Sequence, residues 1–231
     1  MPVIEATVLE KKVVTPHLSL FKLVPKTPIP DFVPGQFMMV GTDVDGKFQK
    51  RAYSIVSAPS SRELEFCIKA YEEGKVAKHI LNVPEGGTLK IEGPYGKFML
   101  NGSAKNKIFI AAGTGIAPMV SMIRALTERG FTGKMVLYYG ASYPNMLVYS
   151  DELRVLSGKH NNFIYVPSVS REAVEWTGAR GRVESILPNH IKSSTNTEAY
   201  ICGPPPMCEN AAAFLKSMGF ADADIHMEKY W

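Results

Sequence analysis

Along the chain, the hydrophobic and polar positions change their period once. Residues 3–14, 18–23, 35–40, 51–56 and 64–69 alternate, or gather β-branched and aromatic side chains, which predicts short strands. Asp45-Gly46, between the third and fourth, is a two-residue hairpin signal. One helical stretch, 75–81, follows Gly74. Several short strands separated by turn signals predict a sandwich or a closed barrel. Residues 101–106 form a polar break, and the pattern differs after it. The apolar run 108–111 reads as a buried parallel strand. A helix over 117–129 follows, with Val120, Ile123 and Leu126 as apolar positions. Strands at 135–139, 163–167, 199–202 and 225–227 then alternate with helices at 151–156, 183–187 and 206–218. Such alternation predicts a parallel, doubly wound sheet. The expected fold is α+β with two domains: an antiparallel β-barrel over residues 1–101, then a parallel doubly wound α/β domain over 102–231.

Composition narrows the chemistry. Hydrophobic residues make up 45% of the 231, enough for real cores and too many for a disordered chain. Cys67, Cys202 and Cys208 cannot build a disulfide framework, nor supply four thiolates to an iron–sulfur cluster. Lys and Arg exceed Asp and Glu by only 13 to 11 in each expected domain, so neither is a basic nucleic-acid surface. His17, His79, His160, His190 and His226 are dispersed without metal-ligand spacing. The charge-free stretch over residues 108–123 is too short to span a bilayer comfortably and is interrupted by Gly113, Gly115 and Pro118. The N-terminus has no basic region leading into an apolar run. The expectation is a cytoplasmic monomer with no bound metal and no nucleic-acid or membrane partner.

Three motifs sit where chemistry is expected. Gly113-Thr114-Gly115-Ile116-Ala117-Pro118 joins a strand to a helix, where backbone N–H groups and the helix dipole favour phosphate. A strand–helix turn without chemistry is the alternative. Cys202-Gly203-Pro204-Pro205-Pro206-Met207 ends a strand of the same sheet, with a buried structural cysteine as its plainer reading. Arg51-Ala52-Tyr53-Ser54 places a guanidinium and an aromatic ring on one face of a strand, with a surface strand as the alternative.

Together with Pro34-Gly35-Gln36-Phe37, Gly93-Pro94-Tyr95-Gly96-Lys97-Phe98 and the tail Glu228-Lys229-Tyr230-Trp231, these motifs resemble the ferredoxin–NADP reductase superfamily nearly end to end. The bacterial ferredoxin/flavodoxin–NADP reductases are the most similar branch. The resemblance implies FAD as cofactor. Arg51 would pair with its pyrophosphate, Tyr53 would pack on the isoalloxazine, and Ser54 would bond near the reactive nitrogen, with Ala52 between them. Gly74, Lys75, Val76 and Ala77 match a pyrophosphate-binding turn in which Ala77 replaces a hydroxyl residue. Lys69 would add charge. Tyr230 would cover the other flavin face as a gate, Trp231 would lie on the adenine, and Thr114 would line the same spot. Ser54, Cys202 and Glu228 would be the catalytic residues, Glu228 relaying a proton.

For the nicotinamide nucleotide the resemblance implies Gly113, Thr114, Gly115, Cys202, Gly203, Pro204 and Met207. Ser170-Arg171-Glu172 and Arg182 match residues that select the 2′-phosphate of NADPH. Ser142 stands where some relatives carry a further arginine, so NADH remains an alternative, with Arg180 as a substitute cation. The implied activity is hydride transfer between NADPH and FAD, with single electrons passing to a ferredoxin or flavodoxin. Two alternatives are the reductase component of an oxygenase, favoured by Trp176-Thr177-Gly178, and a free-flavin reductase. A non-enzymatic electron-transfer subunit is an alternative of another class. A fused ferredoxin domain, common in oxygenase reductases, is not expected.

Overall fold

The computed structural model describes residues 1–171 and 173–230. The chain divides into two compact units: Met1–Leu100 with Val120–Ala125, and Asn101–Met119 with the chain from Leu126 onward.

The first unit holds six strands: β1 (Ile4–Thr15), β2 (Leu18–Pro25), β3 (Phe37–Val44), β4 (Lys47–Ser54), β5 (Leu64–Lys69) and β6 (Thr88–Tyr95). They pair antiparallel in the order β4-β3-β6-β1-β2-β5. A bridge between Ile55 and Phe66 links the two outer strands and closes the barrel. The β3–β4 hairpin turns through Asp45 and Gly46, both at positive φ (52° and 71°), as a mirror-image turn requires. Strand β6 is absent from the sequence expectation. Its alternation is short, with only Leu89 and Ile91 as inward aliphatics between two glycine turns.

Helix α1 (Lys75–Asn82) buries Val76, Ala77, Ile80 and Leu81 in the barrel core and leaves Lys75 and Lys78 outside. That i, i+1, i+4, i+5 spacing is one helical face. Lys11 reaches the far end of α1, where its ammonium donates to the Leu81 and Val83 carbonyls and completes the C-terminus.

The second unit is a six-stranded sheet: β7 (Asn106–Ala112), β8 (Met135–Ala141), β9 (Phe163–Val169), β10 (Ala179–Arg180), β11 (Thr197–Gly203) and β12 (Ile225–Lys229). All neighbours are parallel, in the order β10-β9-β8-β7-β11-β12. Helices α2 (Ile116–Glu128), α3 (Ser150–Lys159), α4 (Val183–His190) and α5 (Pro205–Ser217) connect the strands. The two-residue β10 is too short to show a period in sequence. Chain direction across the sheet reverses at β7, which pairs with β8 on one side and β11 on the other. Ligands of such sheets bind outside the carboxyl ends of the strands at this switch point.

Candidate functional site

In the first unit the candidate residues gather on β4 and at the start of α1. Arg51 is exposed and donates to the Lys50 carbonyl at 2.9 Å, while Ser54 is buried. Tyr53 is half-buried, and that burial pushes its phenol up to about 12, so it stays neutral. Ala52 is exposed on the opposite face of β4.

Helix α1 begins at Gly74 with no side-chain cap. Helix geometry leaves the N–H groups of its first turn without intrahelical partners. Val76 and Ala77 can offer only those N–H groups, because their side chains lie in the barrel core. The alanine in place of a hydroxyl residue is therefore a packing residue here. Lys69 sits with its ammonium 4.9 Å from the Tyr71 ring centre, and Lys75 pairs with Asp45.

In the second unit the candidates gather at the carboxyl ends of β7 and β11. A Cβ on Gly115 would lie 2.2 Å from the Cys202 carbonyl oxygen, so only glycine lets this turn approach β11. Gly203 is restricted differently, by a φ of +153° that L side chains rarely adopt; a Cβ there would meet the flexible Met207 methyl at 2.5 Å and the Ala112 carbonyl oxygen at 3.1 Å. Met207 is thus a buried support under the turn. Gly113 has φ +57° and open space where a Cβ would project, which leaves room for a ligand against the backbone. Thr114 is half-buried beside it, and Pro204 opens α5.

β12 completes this end of the sheet, with Cys202 opposite Glu228. The Glu228 carboxyl is raised to about 7 by burial, and its Oε2 has no hydrogen-bond partner among the described residues. Cys202 is fully buried. Burial first, then the nearby Glu228 charge, pushes its thiol well above the ordinary range. Tyr230 is held at both ends. Its N–H donates to the Gly203 carbonyl at 2.9 Å and its side chain hydrogen-bonds the Cys202 thiol. Lys229 pairs with Glu209 of α5 at 2.7 Å. Trp231 and Glu172 lie outside the described residues.

A second cluster lies at the carboxyl ends of β8 and β9. The Ser170 and Arg171 N–H groups donate to the Ala141 and Ser142 carbonyls, each at 3.0 Å. Arg171 and Arg182 are exposed, and the Arg171 guanidinium lies over the Tyr143 ring. Arg180 instead donates to the Ala173 and Trp176 carbonyls and closes its own loop. Sequence reasoning missed Tyr143; its only signal was an isolated aromatic residue immediately after Ser142.

These features fit the two expected groups. The uncapped α1 and the exposed Arg51 suit a diphosphate, while the open Gly113 turn suits a second nucleotide. An antiparallel barrel of this kind followed by a doubly wound unit defines a flavin- and nicotinamide-nucleotide-dependent oxidoreductase. The chain belongs to the ferredoxin–NADP reductase superfamily, with FAD and a nicotinamide dinucleotide as cofactors. The family model for the oxidoreductase FAD-binding domain matches residues 5–100, and that for the oxidoreductase NAD-binding domain matches residues 109–213.

The chain is 29% identical to ferredoxin–NADP reductase B of Sorangium cellulosum over 86% of its own length and 85% of that protein. It is 30% identical to the anthranilate 1,2-dioxygenase electron transfer component of Acinetobacter baylyi, over 87% of its own length and 58% of that protein. It thus spans little more than half the length of the oxygenase components it matches. A crystal structure of a ferredoxin NADP+ reductase from Neisseria gonorrhoeae with bound FAD and NADP superposes with a TM-score of 0.88. The two are 26% identical, and all of both chains is covered. Among the described residues no helix is long and apolar enough to cross a membrane.

Proposed function

We propose that the chain exchanges electrons between NADPH and a one-electron carrier protein, a ferredoxin or flavodoxin, as a soluble cytoplasmic monomer. The observation that carries the nucleotide choice is Arg171, exposed at the end of β9 and tied through its backbone to Ser142. A guanidinium is the side chain suited to the 2′-phosphate dianion. Arg182 supplies a second cation, at the start of α4. The acceptor type is supported by relatives of matching length that are named as ferredoxin reductases.

Bound FAD supplies the redox chemistry, accepting electrons as a pair and releasing them singly. The chain's own residues hold and shield. Arg51 and the first turn of α1 would hold the pyrophosphate, and Tyr53 would offer its ring to the isoalloxazine beside the Ser54 hydroxyl. Gly113, Thr114 and Gly203 would bring backbone against the nicotinamide nucleotide. Glu228 holds a proton at its carboxyl below about pH 7, which suits proton delivery to the site. Cys202 stays a neutral thiol and is no nucleophile.

A second reading, the reductase component of an oxygenase, is favoured by the oxygenase electron transfer relatives. The test is an anaerobic titration of the purified flavoprotein, followed by mixing with candidate acceptors. Bleaching of the flavin by NADPH at lower concentration than NADH, then rapid reduction of a ferredoxin or flavodoxin, is the expected result. Electrons reaching an oxygenase but neither carrier would replace the first reading with the second.

A further inference from the structure

We infer that Tyr143 is a positioning residue for Arg171, and that the cation–π pair, rather than the arginine alone, sets the preference for a nucleotide bearing a 2′-phosphate. This rests on the reading of Arg171 given above. The two residues come from the turns that follow adjacent strands, β8 and β9. The paired backbone hydrogen bonds from Ser170 to Ala141 and from Arg171 to Ser142 run these turns side by side. The guanidinium carbon then lies 5.9 Å from the Tyr143 ring centre, within the reach of cation–π attraction.

Both partners stand on braced backbone. On the β8 side, the Tyr143 carbonyl accepts the Met146 N–H at 3.0 Å, Pro144 fixes the next torsion, and the Tyr139 hydroxyl donates to the Met146 carbonyl at 3.3 Å. On the β9 side, Trp176 Nε1 donates to the Ala179 carbonyl at 2.8 Å, and Arg180 donates to the carbonyls of Ala173 and Trp176. Residues 173–180 are thus closed on themselves. Tyr143 nevertheless keeps 41% of its surface exposed, so core packing does not account for it.

An unbraced arginine loses side-chain freedom when it grips a ligand. Drawn toward a ring whose backbone is braced, the guanidinium is ordered in advance, with N–H groups left for phosphate oxygens. With Ser142 uncharged, the neighbouring turn contributes this ring in place of a cation.

The test uses the FAD-loaded protein, with ferricyanide as electron acceptor and binding of 2′-phospho-AMP and AMP measured in parallel. The variants are Tyr143→Ala, Tyr143→Phe, Arg171→Ala and the Tyr143→Ala/Arg171→Ala double. Tyr143→Ala should raise KM for NADPH about two- to fivefold, with kcat and KM for NADH held within about twofold. Tyr143→Phe should restore the wild-type values, because the ring face suffices. The double variant should be no worse than Arg171→Ala alone. Equal losses for both nucleotides, additive losses in the double variant, or no rescue by Phe would overturn the inference. Weaker 2′-phospho-AMP binding in Arg171→Ala but not in Tyr143→Ala would overturn the inference and leave the Arg171 reading standing. Unchanged binding in Arg171→Ala would sink both.

Discussion

Glu228 lies opposite Cys202 at the ends of two parallel strands, with one carboxylate oxygen buried and unpartnered among the described residues. Burial raises this carboxyl from 4.5 to about 7, so the folded protein binds its proton more tightly than the unfolded chain does. The resulting stabilisation is complete below pH 4.5 and is lost as pH rises through about 7. Glu228→Gln removes that dependence. Relative to wild type, its melting temperature should gain about 2–4 °C between pH 5 and pH 8, the modest size reflecting partial access of water. Parallel melting curves across that range would show that Glu228 is not the titrating group. Arg171 makes a different residue-scale test, since losing a charge-assisted hydrogen bond to the 2′-phosphate costs about 1.5–3 kcal/mol. Steady-state kinetics of Arg171→Ala should show a KM for NADPH about ten- to a hundredfold higher, with KM for NADH almost unmoved. Neither residue's setting was visible in the sequence. The tail motif marked Glu228, but its burial depends on the parallel pairing of β12 with β11. Tyr143 went unmarked because its partner is 28 positions away, brought near only by the β8–β9 register.

At the scale of elements, the turn between β7 and α2 divides its glycines into two kinds. Gly115 has the Cys202 carbonyl 2.2 Å from where a Cβ would go, while Gly113 has open space there and a left-handed φ. Gly113→Ala should therefore fold at a cost of about 1 kcal/mol and weaken nucleotide binding. Gly115→Ala should force β7 and β11 apart and destabilise by more than about 2 kcal/mol, enough to lower soluble yield. Urea denaturation with parallel NADP+ titration separates the two outcomes. Most elements were legible from the hydrophobic pattern: apolar positions at helical spacing marked α2, and a short continuous apolar run between polar flanks marked β7. The exceptions were β6, with only two inward aliphatics, and β10, with two residues in all. The Gly74 turn was marked in the sequence only as an expected pyrophosphate turn, whereas the inward packing of Ala77 shows only once α1 is laid on the barrel core.

At the scale of the whole molecule, two separate cores are each completed by a ligand in the proposed function. Removing FAD should lower the melting temperature, and restoring it at a hundredfold its Kd should return about 2.7 kcal/mol. Differential scanning fluorimetry on the apoprotein, with and without FAD, measures this directly. The second core carries a buried ion pair, Lys107 to Glu198 at 2.8 Å, with almost no exposed surface. Burial pushes the Glu198 carboxyl up, but hydrogen bonds from Lys107, Asn101 and Ser103 outweigh it and leave a net lowering. Lys107→Met strands that charge and should cost about 3–5 kcal/mol in urea denaturation. The same carboxylate accepts from the Asn101 amide and the Ser103 hydroxyl, and the Lys107 ammonium reaches back to the Ser103 carbonyl. A stretch written as Asn-Gly-Ser-Ala-Lys-Asn invites the engineer's scissors: it has the composition of a dispensable tether, suited to a protease site or a spliced-in tag. Its first residues are instead riveted to a carboxylate under the sheet. Cutting or splicing there would unseat a buried charge, and a safer place to open the chain is the exposed Asp45-Gly46 turn, where Asp45 makes a surface ion pair with Lys75 and nothing reaches the core.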